Sequence, residues 1–304
     1  MCLLDAVVRQ DPNDPFYQLL LRLRRGEILR SDWQTLCERN LGRLPAHERA
    51  LFENGTVQLF ATKADAEEYN LECLQKLGKP ILVCNASHGG PVGEAKGLSS
   101  DHFMGLRSSL SLSVGALVML RSNLWVNQKL VNGTIGTVVD ILFSATSKGP
   151  PDLPSGVVIH VPGYSGPGFS DQPGHILVTP MTARYLHEGK KMMTRTQLPL
   201  CLCWGITIHK SQGMTVGGGH PIPRIKVSLG KFERSLGLTF VALSRVTSLT
   251  CLAFDPMPPF ERMQAIAKSG MLKSRLEELD RIDRLALLTD TAFAHLDDMD
   301  LARP

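Results

Sequence analysis

The chain changes texture twice, and those changes confine what it can fold into. From Gly115 the sequence breaks into short apolar runs: Leu117-Val-Met-Leu-Arg-Ser-Asn-Leu, Gly136-Thr-Val-Val-Asp-Ile-Leu, Gly156-Val-Val-Ile-His-Val and His175-Ile-Leu-Val-Thr. Clusters of Gly, Pro, Asn and Ser separate them, Asn132-Gly133 included. Short strands parted by turn residues predict a small antiparallel barrel. On either side the pattern is helix and strand. Residues 13 to 42 read as helices, with Phe16, Leu19, Leu20 and Leu23 at helical spacing and Arg22, Arg24 and Arg25 on the other side. Ser31 is a natural cap for a second helix carrying Trp33, Leu36 and Cys37. Residues 57 to 61 predict a strand, followed by a helix that Thr62 can cap and that ends near Gly78. Residues 85 to 109, rich in Gly, Ser and His, read as a loop. At Gln197 the strand-and-helix texture returns, with one apolar strand from Leu200 to Ile208. After the prolines at 256, 258 and 259 a helix is expected over 260 to 285, then an acidic tail with Asp297, Asp298 and Asp300. The simplest topology is an α/β domain with a small barrel inserted into it.

Length and composition narrow the classes. A chain of 304 residues holds one large or two ordinary domains. No apolar stretch approaches the ~20 residues of a membrane span, and the N-terminus lacks the pattern of a signal peptide. A net charge of +4 permits nucleic-acid binding without demanding it. Seven cysteines occur without a C-x-x-C. Cys201 and Cys203 would share one strand face, and the set reads as reduced thiols packed as small hydrophobes rather than a zinc site.

Two segments carry chemistry. Residues 206 to 215 read Ile-Thr-Ile-His-Lys-Ser-Gln-Gly-Met-Thr, an apolar strand ending in a polar cluster. The carboxyl ends of parallel strands are where α/β proteins bind ligands, and His209, Lys210, Ser211 and Gln212 offer donors suited to phosphate oxygens. On composition alone a polar loop is the better reading. Residues 237 to 246 read Gly-Leu-Thr-Phe-Val-Ala-Leu-Ser-Arg-Val, where the lone Arg245 would ordinarily cap a helix or form an ion pair.

Together these segments resemble motifs V and VI of superfamily-1 DNA helicases. The chain is most similar to the Pif family (petite integration frequency), RecD-related enzymes of superfamily 1B, from about Leu4 to about Phe260. The resemblance implies a RecA-like second motor domain of the P-loop-NTPase type with an inserted SH3-like β-barrel. The implied division is 1–113 and 199–256 for the motor domain, 114–198 for the barrel, and 257–304 for a C-terminal helix and acidic tail. It further implies that Arg245 reaches the γ-phosphate as an arginine finger does. Val7-Val8-Arg9-Gln10 resembles the start of that domain and makes Arg9 a second γ-phosphate candidate. His209, with Thr207 or Ser211, would touch the single-stranded DNA backbone. Gln212, Gly213 and Thr215 would lie toward the nucleotide. Thr62, in a segment resembling motif IV, reads equally as a helix cap or a DNA-phosphate contact. Arg121, Asn123 and Lys129 stand in a segment resembling the entry to the barrel, and Tyr164-Ser-Gly-Pro-Gly-Phe also matches the family's insert.

The sequence departs from the family in two places. No G-x-x-x-x-G-K-[ST] occurs, so the phosphate cradle and the first motor domain are expected to be missing. Val216 to Ile225, with Gly-Gly-Gly and two prolines, interrupts the chain as a surface insertion or a gene-model seam. The implied parent is a 5′-to-3′ DNA helicase of repair, recombination or telomere maintenance. It would use ATP and Mg, act on single-stranded DNA and duplex forks, and work in nucleus or mitochondrion, with no membrane. The fragment itself is expected to lack ATPase activity. A stand-alone single-strand-binding module and a relic of a Helitron-type transposon helicase are the alternatives.

Overall fold

The structure is a computed structural model that describes residues 9–53, 55–145, 149, 152–169, 172–187 and 191–297. Cys2, Leu4, Val7, Val8, Asp298 and Asp300 lie outside the described residues. In chain order the helices and strands open with α1 (Pro15–Arg25), α2 (Arg30–Cys37), α3 (Ala46–Glu53), β1 (Val57–Phe60) and α4 (Lys63–Lys76). Next come β2 (Leu82–Asn85), β3 (Ser87–Gly89), α5 (Val92–Gly97), β4 (Ser109–Leu112), β5 (Leu117–Leu120) and β6 (Ile135–Leu142). They continue with β7 (Gly156–His160), β8 (His175–Val178), β9 (Met181–His187), β10 (Lys191–Gln197), β11 (Leu200–Leu202) and β12 (Gly205–Thr207). The last are β13 (Ile225–Ser228), α6 (Leu238–Leu243), β14 (Leu252–Phe254), α7 (Phe260–Gln264) and α8 (Gly270–Asp297). The chain divides into two compact units, Met1–Thr62 with Thr207–Pro304, and Lys63–Ile206.

In the first unit β1, β13 and β14 run parallel, with Val57 opposite Ile225 and Ile225 opposite Leu252. All four residues of β1 and all three of β14 are buried, as strands covered on both faces must be. Helix α1 buries Phe16, Leu19, Leu20 and Leu23, the spacing read from sequence. Asp14 caps it, accepting from Phe16 N at 2.8 Å. Ser31 is not the cap of α2. That helix starts at Arg30, and Asp32 closes its start by accepting Leu29 N at 3.0 Å. Asp32 wins because it is already charged and fixed by Arg22, whose Nε donates to it at 2.9 Å. Burial opposes this, yet the bonds to Arg22 and Leu29 hold the Asp32 carboxyl below the usual range. The single helix expected over 260 to 285 is two, α7 and α8, parted by residues 265 to 269.

The second unit is largely antiparallel. Strands β11, β5, β6, β7 and β8 form one sheet in that order, β3, β10 and β9 another, and β2 pairs with β4. The strands expected at Leu117, Gly136, Gly156 and His175 are all present. The unit begins at Lys63 and ends at Ile206, wider than the 114–198 read from sequence. The cause is α4: Leu74 belongs to the same core as Leu112, Val118, Ile159 and Leu200, with Tyr69, Cys73 and Leu77 packed against it. Asn70 also clasps Gly205, donating to its carbonyl at 2.7 Å and accepting its N–H at 2.9 Å.

Residues 85 to 109 are not a loop. They contain β3 and α5 and lead into β4. Gly90 serves close approach: at φ +81°, a Cβ there would stand 2.4 Å from the Met192 carbonyl oxygen. The β9–β10 hairpin was not legible as strands. Its inward position 195 is an arginine, 1% exposed, donating to the carbonyls of Ala95, Leu98 and Leu106 and to His88 Nε2. Its guanidinium lies 4.2 Å from the Phe103 ring centre. Burial, then the Arg195 charge, holds His88 below the ordinary histidine value. The apolar run from Leu200 to Ile208 is likewise not one strand. It is β11, a break at Cys203-Trp204, β12, and a 3-10 turn over Ile208–Ser211.

Candidate functional site

The site is built in the first unit where two distant segments lie side by side. Val216 forms a parallel bridge with Val246: Val216 N donates to Arg245 O and Thr247 N to Val216 O, both at 2.9 Å. This brings Thr215 alongside the end of α6. Gly218 to Pro223 form an exposed turn apart from half-buried Ile222, so the unusual stretch after Thr215 is a surface loop anchored at its buried start, Val216.

Arg9 enters from far away in sequence. Its Nε donates to Thr215 Oγ1 and its Nη1 to Ser244 O, each at 3.2 Å. Gln10 reinforces the approach, its Nε2 donating to Ser244 O at 3.1 Å and Val246 O at 2.7 Å. Arg245 is folded back on α6, with Nε to Val241 O and Nη2 to Ser244 Oγ, both 2.9 Å. Each guanidinium has five donors and spends two on the protein among the described residues. Both side chains are half-buried, and among the described residues no carboxylate pairs with either. Burial, and then the charge of Arg9, pulls Arg245 below the usual arginine value. A pair of like charges with donors to spare and no counter-ion is an anion-seeking arrangement, suited to oxygens in a planar or forked geometry.

The start of α6 is fixed as firmly as its end. Glu233 accepts from Thr239 N at 3.1 Å and from the Thr239 hydroxyl. Arg262 Nη1 lies 2.7 Å from Glu233 Oε2 as an ion pair outside hydrogen-bond alignment, both side chains being buried. Arg262 also donates to Leu229 O and Gly230 O.

Of the residues singled out in the sequence, Arg9, Thr215 and Arg245 come together. Gln212 and Gly213 lie exposed in the turn just before Thr215, Gly213 at φ +87° with open space around it. His209 is exposed on the 3-10 turn. Thr207 and Ser211 are buried, and their hydroxyls serve the turn itself: Thr207 Oγ1 accepts Lys210 N at 3.3 Å and Ser211 Oγ donates to Ile208 O at 2.7 Å. Thr62 is half-buried, two residues past the carboxyl end of β1 and just before α4. Sequence reading missed Gln10, Ser244 as the hub, and the Glu233–Arg262 pair. Adjacency to Arg9 and Arg245 was the only signal for the first two.

No family model matches the chain. It is 32% identical over 264 residues to the ATP-dependent DNA helicase PIF6 of Trypanosoma brucei brucei, covering 84% of this chain and 30% of that protein. The crystal structure of Pif1 helicase from Candida albicans matches with a TM-score of 0.65 at 25% identity, covering 91% of this chain and 60% of that one. Pif1 helicase from Bacteroides, crystallised with ADP-AlF3 and single-stranded DNA, matches with a TM-score of 0.60 at 21% identity, covering 91% and 56%. The chain thus spans under a third of the trypanosome relative's length.

Proposed function

The chain belongs to the Pif family of helicases, and from that premise we propose that it supplies the second motor domain of an ATP-dependent 5′-to-3′ DNA helicase. The observation that carries this reading is the meeting of Arg9, Thr215 and Arg245 around Ser244. ATP supplies the transferable phosphoryl group, with Mg2+ as its companion, in the whole protein. The cluster's donors fit phosphate oxygens; a cation finds no carboxylate there among the described residues. In this reading Arg245 and Arg9 offset the charge that develops on the γ-phosphoryl oxygens, and Ser244 and Gln10 aim them. Gln212, Gly213 and Thr215 line the nucleotide side.

His209, exposed beside that turn, meets the single-stranded DNA backbone, while Thr207 and Ser211 hold the turn in shape. Thr62 offers a further phosphate contact at the start of α4. The five-strand antiparallel sheet of the second unit supports its reading as the SH3-like insert. Single-stranded DNA and forks are the partners, a first motor domain completes the nucleotide site, and the work is repair, recombination or telomere maintenance in nucleus or mitochondrion. No helix among the described residues is long and apolar enough to cross a membrane.

The test is made in the complete helicase. Arg245→Ala is expected to lower ATP turnover by about 1,000-fold or more, with DNA affinity largely intact. Loss of DNA binding with full maximal turnover would overturn the assignment.

A further inference from the structure

The loop after β13 presents side chains that the motor chemistry does not use. Gly230, at φ +67°, turns the chain out of the strand, and Lys231, Phe232 and Arg234 then lie exposed. Phe232 is 72% exposed. All three line a cleft of about 450 Å³ in the first unit, together with buried Arg262 and exposed Glu261.

The loop is anchored on both sides of the ring. Before it, Arg262 donates to Leu229 O at 3.2 Å and to Gly230 O at 3.3 Å. After it, the Glu233 side chain turns inward, accepting from Thr239 N at 3.1 Å and pairing with Arg262. The neighbours of Glu233, Phe232 and Arg234, are thereby held outward on fixed backbone. The same inward turn removes an acid from the surface, because the charge of Glu233 is matched by Arg262. Among the described residues neither Lys231 nor Arg234 has an ion-pair or hydrogen-bond partner. The charges left lining the cleft are those two cations and one acid, Glu261.

The place of the loop, with that charge, selects the occupant. Strands β1 and β13 are parallel with Phe60 opposite Ser228, so their carboxyl ends finish level. A Cβ on Gly230 would stand 3.5 Å from the Cβ of Ala61, the residue before Thr62. The run cation–ring–cation therefore starts beside the turn that carries Thr62, on the edge where parallel strands present ligands. An unpaired DNA strand matches such a run: phosphates for the cations, and on every base a π-face for the ring. We propose that this loop continues the single-stranded DNA path beyond Thr62, with Phe232 stacking an unpaired base and Lys231 and Arg234 meeting the phosphates beside it. This rests on the reading that the chain binds single-stranded DNA. It adds a sequence-tolerant contact to a base where His209 and Thr62 are assigned to the backbone.

The test uses the chain itself, titrated at several salt concentrations with oligothymidylate and with an abasic oligomer of the same length. Binding is read by fluorescence anisotropy of the labelled oligomers. Phe232→Ala and Phe232→Leu are each expected to weaken oligothymidylate binding by about tenfold, the loss of one stacking face. Abasic-oligomer binding should stay unchanged in both, and Phe232→Trp should keep the wild-type affinity. Lys231→Gln combined with Arg234→Gln should weaken both oligomers alike and lower the log–log salt slope by about 1.4, at about 0.7 for each lost phosphate contact. The three side chains are exposed, so the melting temperature should hold in every variant. Equal oligothymidylate affinity in wild type and all these variants overturns the proposal, and a loss in His209→Ala alone leaves the single-strand reading standing. Failure of the wild type to bind either oligomer overturns both. Unchanged DNA affinity in Phe232→Ala, with a dimer lost in sedimentation, would make the cleft a contact between copies of the chain instead.

Discussion

Arg9 and Arg245 share one residue: Arg9 donates to the carbonyl of Ser244 and Arg245 to its hydroxyl. Two positive side chains 236 positions apart in the chain are thereby held in one neighbourhood with no acid between them among the described residues. Such an arrangement stores repulsion that an anion relieves.

A phosphate-like anion should therefore stabilise the isolated chain. Pyrophosphate at a hundredfold excess over its Kd would add about 2.7 kcal/mol to unfolding. Thermal melting with and without pyrophosphate reads this directly. Arg245→Ala and Arg9→Ala should each remove most of the rise, and an undiminished rise in both variants would place the anion elsewhere.

The isolated chain should not turn over ATP, because no phosphate loop occurs in its sequence. The check is release of phosphate by highly purified protein with single-stranded DNA present. DNA-stimulated hydrolysis abolished by Arg245→Ala would refute the expectation.

In the complete helicase His209→Ala should act oppositely to Arg245→Ala. It should weaken DNA binding and DNA-stimulated hydrolysis while basal turnover holds. Turnover measured against DNA concentration separates the two, His209→Ala raising the DNA concentration needed and Arg245→Ala lowering the plateau.

Glu233 and Arg262 form a buried ion pair, so removing one partner leaves a charge without compensation. Glu233→Gln is expected to cost about 3–5 kcal/mol in urea unfolding. The double replacement Glu233→Gln with Arg262→Met should cost less than Glu233→Gln alone. Equal losses would mean that the capping of Thr239, not the ion pair, carries the effect.

Acid should loosen the second unit through His88. Its folded-state value lies below the ordinary 6.5, with burial the main cause and Arg195 the next. Between those two values the unfolded chain binds more protons than the folded one, so stability falls as pH drops below about 6.5. Above that range the contribution is constant. Urea unfolding from pH 7.5 to 5 should show the decline, and His88→Gln should flatten it by keeping an acceptor for Arg195 that does not titrate.

What could be read from the sequence was local. Phe16, Leu19, Leu20 and Leu23 announce α1 because a helix turns every 3.6 residues. The strands at Leu117, Gly136, Gly156 and His175 stand out because turn residues bracket them. Arg245 was legible only through resemblance, since an arginine after an apolar run has many ordinary uses.

Long-range relationships were hidden. Nothing near Arg9 reveals that Ser244 receives it, and nothing near Ser31 reveals that Arg22 fixes Asp32 as the competing cap. Arg195 disguised a strand, because a buried arginine satisfied by carbonyls breaks the alternation that strands are recognised by. The break at Cys203-Trp204 left no mark, because both residues are apolar and buried like the strands beside them.

The clasp between Asn70 and Gly205 brings two points 135 positions apart in the chain together. Chain that leaves and returns at one place behaves as a cassette. Strands and loops inside it can lengthen, shorten or be exchanged without shifting the points of entry and exit, and longer loops close at an entropy cost that grows only with the logarithm of their length. Two hydrogen bonds from one amide side chain thus hold the ends of the intervening chain together, whatever the length of the strands and loops between them.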